Sequence, residues 1–252
     1  MKIVDVNVSI GNWPFQRFPY YDLQALSTAL DAEGVSLAVV TAVEAILNSD
    51  PCYNQNLHKQ CQNDRKFVFL PVVDPSMPGW EERLSAFLPG LRGVKIFPNY
   101  HTFALGSSQI RDLILFLKAL TLPLIIQMRV DDERNQHPHM RVAGVAVEDI
   151  TQLANLYPDQ VIVCLNAYIQ EVEQLLQNSE NIYADISFCE HMDTLGTLNK
   201  TLAAERLLFG SHTPFLYTRS ATMKLNLSRI SKEMRQKIAW KNAEDIFRLE
   251  EL

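Results

Sequence analysis

Long apolar runs, glycine-rich phosphate loops, paired cysteines and an excess of basic charge are all missing from this sequence, and each absence removes a class of function. No run approaches the roughly 18 apolar residues that span a bilayer. Met1-Lys2 leads into a segment carrying Asp5, which the apolar region of a signal peptide would not hold, so no membrane association and a cytoplasmic location are expected. With 23 Lys and Arg against 29 Asp and Glu the net charge is -6, too negative to attract phosphate backbones, and nucleic acid is not an expected partner. The four cysteines, Cys52, Cys61, Cys164 and Cys189, show no C-x-x-C spacing, which fits reduced structural thiols better than disulfides or a zinc knot. No G-x-G-x-x-G follows the first apolar run, which speaks against a dinucleotide fold. Neither low-complexity sequence nor a Pro/Ser-rich linker divides the chain, so one domain over residues 1–252 is expected.

What the chain does contain is a recurring apolar segment. KIVDVNVSI, SLAVVTAV, FVFLPVV, GVKIF, LPLIIQM, QVIVCLN, NIYADIS and RLLFGS are rich in Val, Ile and Leu and do not alternate cleanly in polarity, the pattern of strands buried on both faces. Between them, Leu23, Leu26 and Leu30 fall on one helical face, as do Ile110, Leu113, Ile114 and Leu117, and Val172, Leu175 and Leu176. Eight such units in 252 residues give about 31 residues each, close to the ~30 of a βα repeat. The predicted fold is α/β, a (β/α)8 TIM barrel; an open doubly wound sheet is the competing topology.

Two connections are longer than a barrel needs: NWPFQRFPYYD after the first strand and RVDDERNQHPHMRVAG after the fifth. Both fall on the C-terminal face, where barrel active sites are built. The strand ends on that face are polar: Asn7 and Ser9, Glu44, Lys95 followed by Asn99, Tyr100 and His101, Gln127 and Arg129, Asn166, Asp185 and Ser187, then Ser211 and His212. Strand ends are where chains become polar in any fold. So many ending this way marks the mouth as the candidate site.

IVDVNVSIG, GLRGVKIFPNY, RLLFGSHTPF and IAWKNAEDIF, in that order over nearly the whole chain, resemble the amidohydrolase-related barrel hydrolases, the group that includes aminocarboxymuconate semialdehyde decarboxylase. The resemblance implies a metallo-dependent-hydrolase-like barrel with a divalent metal such as zinc at its mouth. It also implies where the ligands should stand, and none is the expected residue. The group's D-x-H-x-H is Asp5-Val6-Asn7-Val8-Ser9 here, its strand 5 and strand 6 histidines fall at Gln127 and Asn166, and the aspartate of its G-S-D-x-P is His212 in Gly210-Ser211-His212-Thr213-Pro214. Neutral amides and hydroxyls bind zinc weakly, so the metal is either lost or rebuilt from other residues, His212 with His101, His191 or the His137/His139 pair.

The remaining side chains suggest a second chemistry. Lys95 and Arg129 at neighbouring strand ends suit a carboxylate or a polarised carbonyl, and His212, oriented by Asp185, suits acid–base work. Lys95 paired with Asp185 or Glu44 as a structural ion pair is the bland alternative. The candidate catalytic residues are therefore His212, Lys95 and Asp185. The candidate substrate-binding residues are Asn7, Ser9, Trp13, Tyr100, His101, Gln127, Arg129 and Asn166, with Trp13 and Phe15 as an apolar wall. Asp131-Asp132-Glu133-Arg134 reads either as a solvated charge run or as a lid. The expected function is a hydrolase or decarboxylase acting on a small anionic molecule (a lactone, an amide or a carboxylated ring) at a metal-poor site; the alternative is an inactive barrel that binds a small metabolite. A homodimer is compatible with either.

Overall fold

Runs of Val, Ile and Leu without polar alternation must be covered on both sides. In the computed structural model, which describes residues 1–48, 50–139, 141–201 and 204–251, all eight become strands. They are β1 (Val4–Ile10), β2 (Leu37–Ala42), β3 (Phe67–Phe69), β4 (Val94–Ile96), β5 (Leu124–Gln127), β6 (Ile162–Leu165), β7 (Ile182–Asp185) and β8 (Leu207–Leu208). Every pairing is parallel, in the orders β1-β2-β3 and β4-β5-β6-β7-β8. Two backbone seams close the ring. Lys95 N–H donates to Pro71 O at 2.9 Å and Lys95 O accepts from Val73 N–H at 2.9 Å, joining β4 to the chain after β3. Val6 N–H to Phe209 O at 3.0 Å and Ser9 N–H to Thr213 O at 2.8 Å join β1 to the chain after β8. The barrel predicted from the eight segments is the barrel observed.

The helical stripes read from the sequence face the strands. Leu23, Leu26 and Leu30 of the helix Leu23–Ala32, Ile110, Leu113, Ile114 and Leu117 of Ser108–Leu120, and Val172, Leu175 and Leu176 of Ile169–Asn178 are all buried. Inside the ring a separate apolar cluster draws on β1, β2, β3, β5, β6 and β8, including Val4, Val6, Val39, Ile125, Val163 and Leu208, and is plugged at one end by Ala243 and Phe247.

β1 carries an irregularity that decides how its polar residues are used. Its register against β2 shifts between Asp5 and Val8. Val4 and Val6 belong to the lumen cluster, whereas Val8 and Ile10 belong to the cluster shared with the surrounding helices. A bulge of one residue reverses the alternation of faces, and so Asn7, instead of another valine, stands above the apolar lumen. Lys95, Gln127 and Asp185 occupy the corresponding level on β4, β5 and β7, two residues beyond or beside lumen positions such as Ile125 and Tyr183.

Candidate functional site at the barrel mouth

The level above the lumen valines is a sealed polar layer. Asp5, Asn7, Asn166 and Asp185 are fully buried, and Lys95 is 2% exposed. Asn7 Nδ2 donates to Asn166 Oδ1 at 2.6 Å and to Asp185 Oδ2 at 2.8 Å, and Lys95 Nζ approaches Asn7 Oδ1 at 3.5 Å. Asn166 N–H donates to Asp185 Oδ1 at 2.9 Å, and Ser187 Oγ to Asn166 Oδ1 at 2.8 Å. Asp5 Oδ1 accepts from Asn7 N–H at 3.1 Å and Ser211 N–H at 3.0 Å, while its Oδ2 has no partner. A side chain at Gly210 would collide with the Asp185 carboxylate, which is why glycine stands there.

Burial sets the protonation of this layer. It pushes Asp5 up to about 7, against the opposing hydrogen bonds from Ser211, and raises Asp185, against the Asn7 and Asn166 donors. It pulls the Lys95 ammonium down to about 7, against the attraction of Asp185 and Asp5. The sequence-derived pairing of Lys95 with Asp185 is thus present as an electrostatic one. Glu44 is elsewhere, accepting Asn12 N–H at 2.7 Å.

Above the layer opens a cavity of about 1300 Å³ among the strand-end loops. Trp13, Tyr100, Phe188 and Phe215 supply aromatic wall, and His212 lies on its floor. His212 takes a left-handed φ of 58° and Asn166 one of 61°, conformations rare for residues with a side chain and found where surrounding structure enforces them. The His212 ring stacks on Phe215, centroids 4.6 Å apart and 10° between planes, and meets Phe188 at 5.6 Å. Its Nε2 lies 2.7 Å from Val130 O. A carbonyl oxygen only accepts, so the hydrogen belongs on Nε2, and Nδ1 carries a lone pair; that atom is buried without a partner. Burial, then the Lys95 charge, depress this imidazole to about 3 and keep it neutral.

Of the residues singled out from the sequence, His212, Trp13 and Tyr100 reach the cavity, whereas Lys95, Asp185, Asn7, Gln127 and Asn166 lie below its lining. Ser9 Oγ is 3.3 Å from Thr41 Oγ1. Three expectations on geometry are corrected. Asp185 does not orient His212; Val130 does, because the Asp185 oxygens are taken by Asn7 and Asn166. Arg129 is not available to a substrate carboxylate. It makes a fork with Glu171 (2.6 Å twice), reaches Glu133 at 3.0 Å and Asn166 O at 2.5 Å, and lies 4.0 Å over the Tyr168 ring. His101 turns away: its Nε2 meets Ile46 O at 3.1 Å, beside a second, small hollow that includes Trp80 and Phe87.

Asp131, Asp132, Glu133 and Arg134 line the cavity, the first three half-buried and Arg134 exposed. Glu171, Tyr168, Phe188 and Phe215 are site residues that sequence reasoning missed. Only Phe215, three positions after His212 in HTPF, carried a signal.

The residues at the five inferred ligand positions do not fit a divalent ion. The amides of Asn7 and Asn166 are spent on each other and on Asp185, Gln127 Nε2 donates to Arg129 O at 2.8 Å, and the Lys95 ammonium already stands beside Asn7 Oδ1, where a second cation would be repelled. Among the described residues no three His, Cys, Asp or Glu side chains gather into a metal site, and so His212, His101, His191, His137 and His139 do not rebuild one. No helix is long and apolar enough to cross a membrane, again among the described residues.

Residues 11–249 match the family model described as Amidohydrolase. Solved structures similar to the chain include an uncharacterised TIM-barrel protein of Bordetella bronchiseptica, with 14% identity, full coverage of both chains and a TM-score of 0.74. A 2,6-dihydroxybenzoate decarboxylase from Rhizobium shows 16% identity over 98% of this chain and 99% of its own, with a TM-score of 0.76. A 5-carboxyvanillate decarboxylase of Sphingomonas paucimobilis shows 13% identity over 98% and 99%, with a TM-score of 0.74. At these identities the likeness is one of fold. No curated protein sequence matches the chain.

Proposed function

We propose a function on one premise: this chain belongs to the amidohydrolase family, as its resemblance in sequence implied. Similar barrels are decarboxylases of dihydroxybenzoate and carboxyvanillate, both small carboxylated rings. The reading that the geometry supports best is an enzyme of the hydrolase or decarboxylase type that receives such a ring in the mouth cavity and works without a resident divalent metal. A neutral His212 in the cavity lining, its Nδ1 buried and without a protein partner, carries this reading.

In it, His212 is the catalytic residue. Its Nδ1 takes a proton from a substrate hydroxyl or an attacking water and returns it, while Val130 fixes the ring and Phe215 backs it. Lys95 and Asp185 do not touch the substrate. They are positioning residues: the Lys95 charge helps keep the imidazole neutral, and Asp185 favours the charged form of Lys95. Arg141 on the cavity lining, rather than Arg129 or the Asp132-paired Arg134, matches the substrate carboxylate.

The test pairs kinetics with elemental analysis on protein purified without chelators. Across a panel of aromatic carboxylates, lactones and amides at pH 7, His212→Gln should lower turnover at least ~100-fold with urea unfolding at that pH unchanged. Transition metal should stay far below one equivalent. Full activity in His212→Gln removes the histidine's role, and one equivalent of bound metal removes the metal-free part.

A barrel that binds a metabolite without converting it is the second reading. It is favoured by the way Lys95, Asp185, Asn7 and Asn166 bond to one another beneath the cavity. Turnover well above background on any panel member rules it out.

A further inference from the structure

The charges around the cavity do not all have partners. Asp132 pairs with Arg134 at 2.5 Å, Glu133 with Arg129 at 3.0 Å and Glu190 with Lys224 at 2.6 Å. Asp131 is different. It is half-buried on the cavity wall, and the partner found for its carboxylate among the described residues is the Trp13 indole, a neutral donor. Desolvation by burial raises it, with the Trp13 hydrogen bond only partly opposing, so the anion is held in a place that disfavours it. A cation arriving there would relieve that penalty.

The neighbouring groups suit one. Trp13 and Tyr100 line the same cavity with ring centroids 6.3 Å apart, and the negative charge of Asp131 is felt at the Tyr100 hydroxyl. Among the described residues the cation–π contacts of the chain engage Trp240, Tyr21, Phe97 and Tyr168, leaving the Trp13 and Tyr100 faces without a protein cation. His212 Nδ1, an independent feature of the floor, is a second acceptor without a donor. A carboxylate met only by a neutral indole, a second acceptor without a donor, and the Trp13 and Tyr100 rings beside them call for a ligand that brings N–H donors and positive charge.

We infer that Trp13, Tyr100 and Asp131 form a subsite for a protonated amino group carried by the ring that the cavity receives. The substrate class is then an amine-bearing aromatic compound. The inference rests on the proposed placing of substrate in this cavity but not on turnover, so a binding experiment separates its failure from that of the catalytic reading.

Benzylammonium, its neutral analogue benzyl alcohol, and benzoate are titrated at pH 7 into the full chain and followed by calorimetry. Benzylammonium should bind at least ~10-fold more tightly than benzyl alcohol. Asp131→Asn should bring the two within about twofold by weakening benzylammonium alone. Trp13→Leu, which removes one ring and the indole donor, should narrow the preference as well and serves if Asp131→Asn does not fold. Equal binding of benzylammonium and benzyl alcohol to the wild-type chain, no benzylammonium binding at ~10 mM, or a preference that survives both variants each overturns the subsite, whereas benzoate binding reports on the carboxylate of the proposed substrate.

Discussion

The polar layer inside the barrel and the cavity above it are built from the same kinds of residue and are used in opposite ways. Below, Asn7, Asn166, Asp185 and Lys95 satisfy one another, and the ring of hydrogen bonds locks the ends of β1, β6 and β7 to β4. Above, His212 Nδ1 has no donor, and the Asp131 carboxylate is met by the neutral Trp13 indole with no protein cation beside it among the described residues. Polarity at a strand end therefore has two meanings here. The first is mutual neutralisation, which tolerates no solvent; the second is an open valence, which requires a cavity. Variants should separate them: changes in the layer are expected in stability, changes in the cavity in binding or turnover.

The largest stability effect is expected at Lys95. Lys95→Ala leaves the buried Asp185 carboxylate with no cation beside it, an uncompensated-charge defect worth about 3–5 kcal/mol. Lys95→Met combined with Asp185→Asn, which empties the layer of both charges, should recover most of that loss in urea unfolding. A Lys95→Ala protein that unfolds at the wild-type urea concentration and has lost only turnover would move Lys95 from the layer to the cavity, and the distinction with it.

Next comes the tie between Arg129 and Glu171, which fixes the loop after β5 to the helix Ile169–Asn178. Glu171→Ala deprives a guanidinium only 3% exposed of its fork, although Glu133 and Asn166 O remain. The expected cost is about 3 kcal/mol, read as a fall in Tm of several degrees. Because the same residues frame the cavity wall through Tyr168, binding of a ring should weaken in parallel. An unchanged Tm would show that Glu133 alone suffices.

How much of this was legible follows from what each feature depends on. The eight strands were readable because burial on both faces leaves a local mark, and the leucine and valine stripes of the helices leave another. The bulge in β1 left none: nothing in VDVNVSI marks it, and the reversal of faces that lifts Asn7 over the lumen depends on pairing with β2. The polar strand ends were legible as a set, but their sorting into layer and cavity was not. Arg129 looked like a carboxylate clamp because Glu171, 42 positions away, is invisible as its partner until the chain folds. His212 looked like the partner of Asp185 because both end neighbouring strands, whereas a backbone carbonyl, which no sequence pattern announces, took that place.

The smallest expected effect is also the sharpest test of the two levels, because Asp5 in the layer and His212 on the cavity floor tilt the pH profile of stability in opposite directions. His212 is held near 3 instead of its ordinary 6.5. The unfolded chain therefore binds the extra proton between these values, and the histidine's contribution is full above about 6.5 and lost as pH falls toward 3. Asp5 is held near 7 instead of 3.8. Here the folded chain keeps the proton, so the contribution is full below about 4 and lost as pH rises toward 7. Between about pH 4 and 6.5 the two slopes oppose, each up to about 1.4 kcal/mol per pH unit, and largely cancel. His212→Gln should uncover the Asp5 slope, so that stability rises on acidification through this window relative to wild type, and Asp5→Asn should uncover the reverse. Urea midpoints at pH 4.5, 5.5 and 6.5 read both. If the two variants tilt the same way, the neutral imidazole and the protonated carboxyl do not coexist in the folded barrel, and the separation between layer and cavity loses its electrostatic basis.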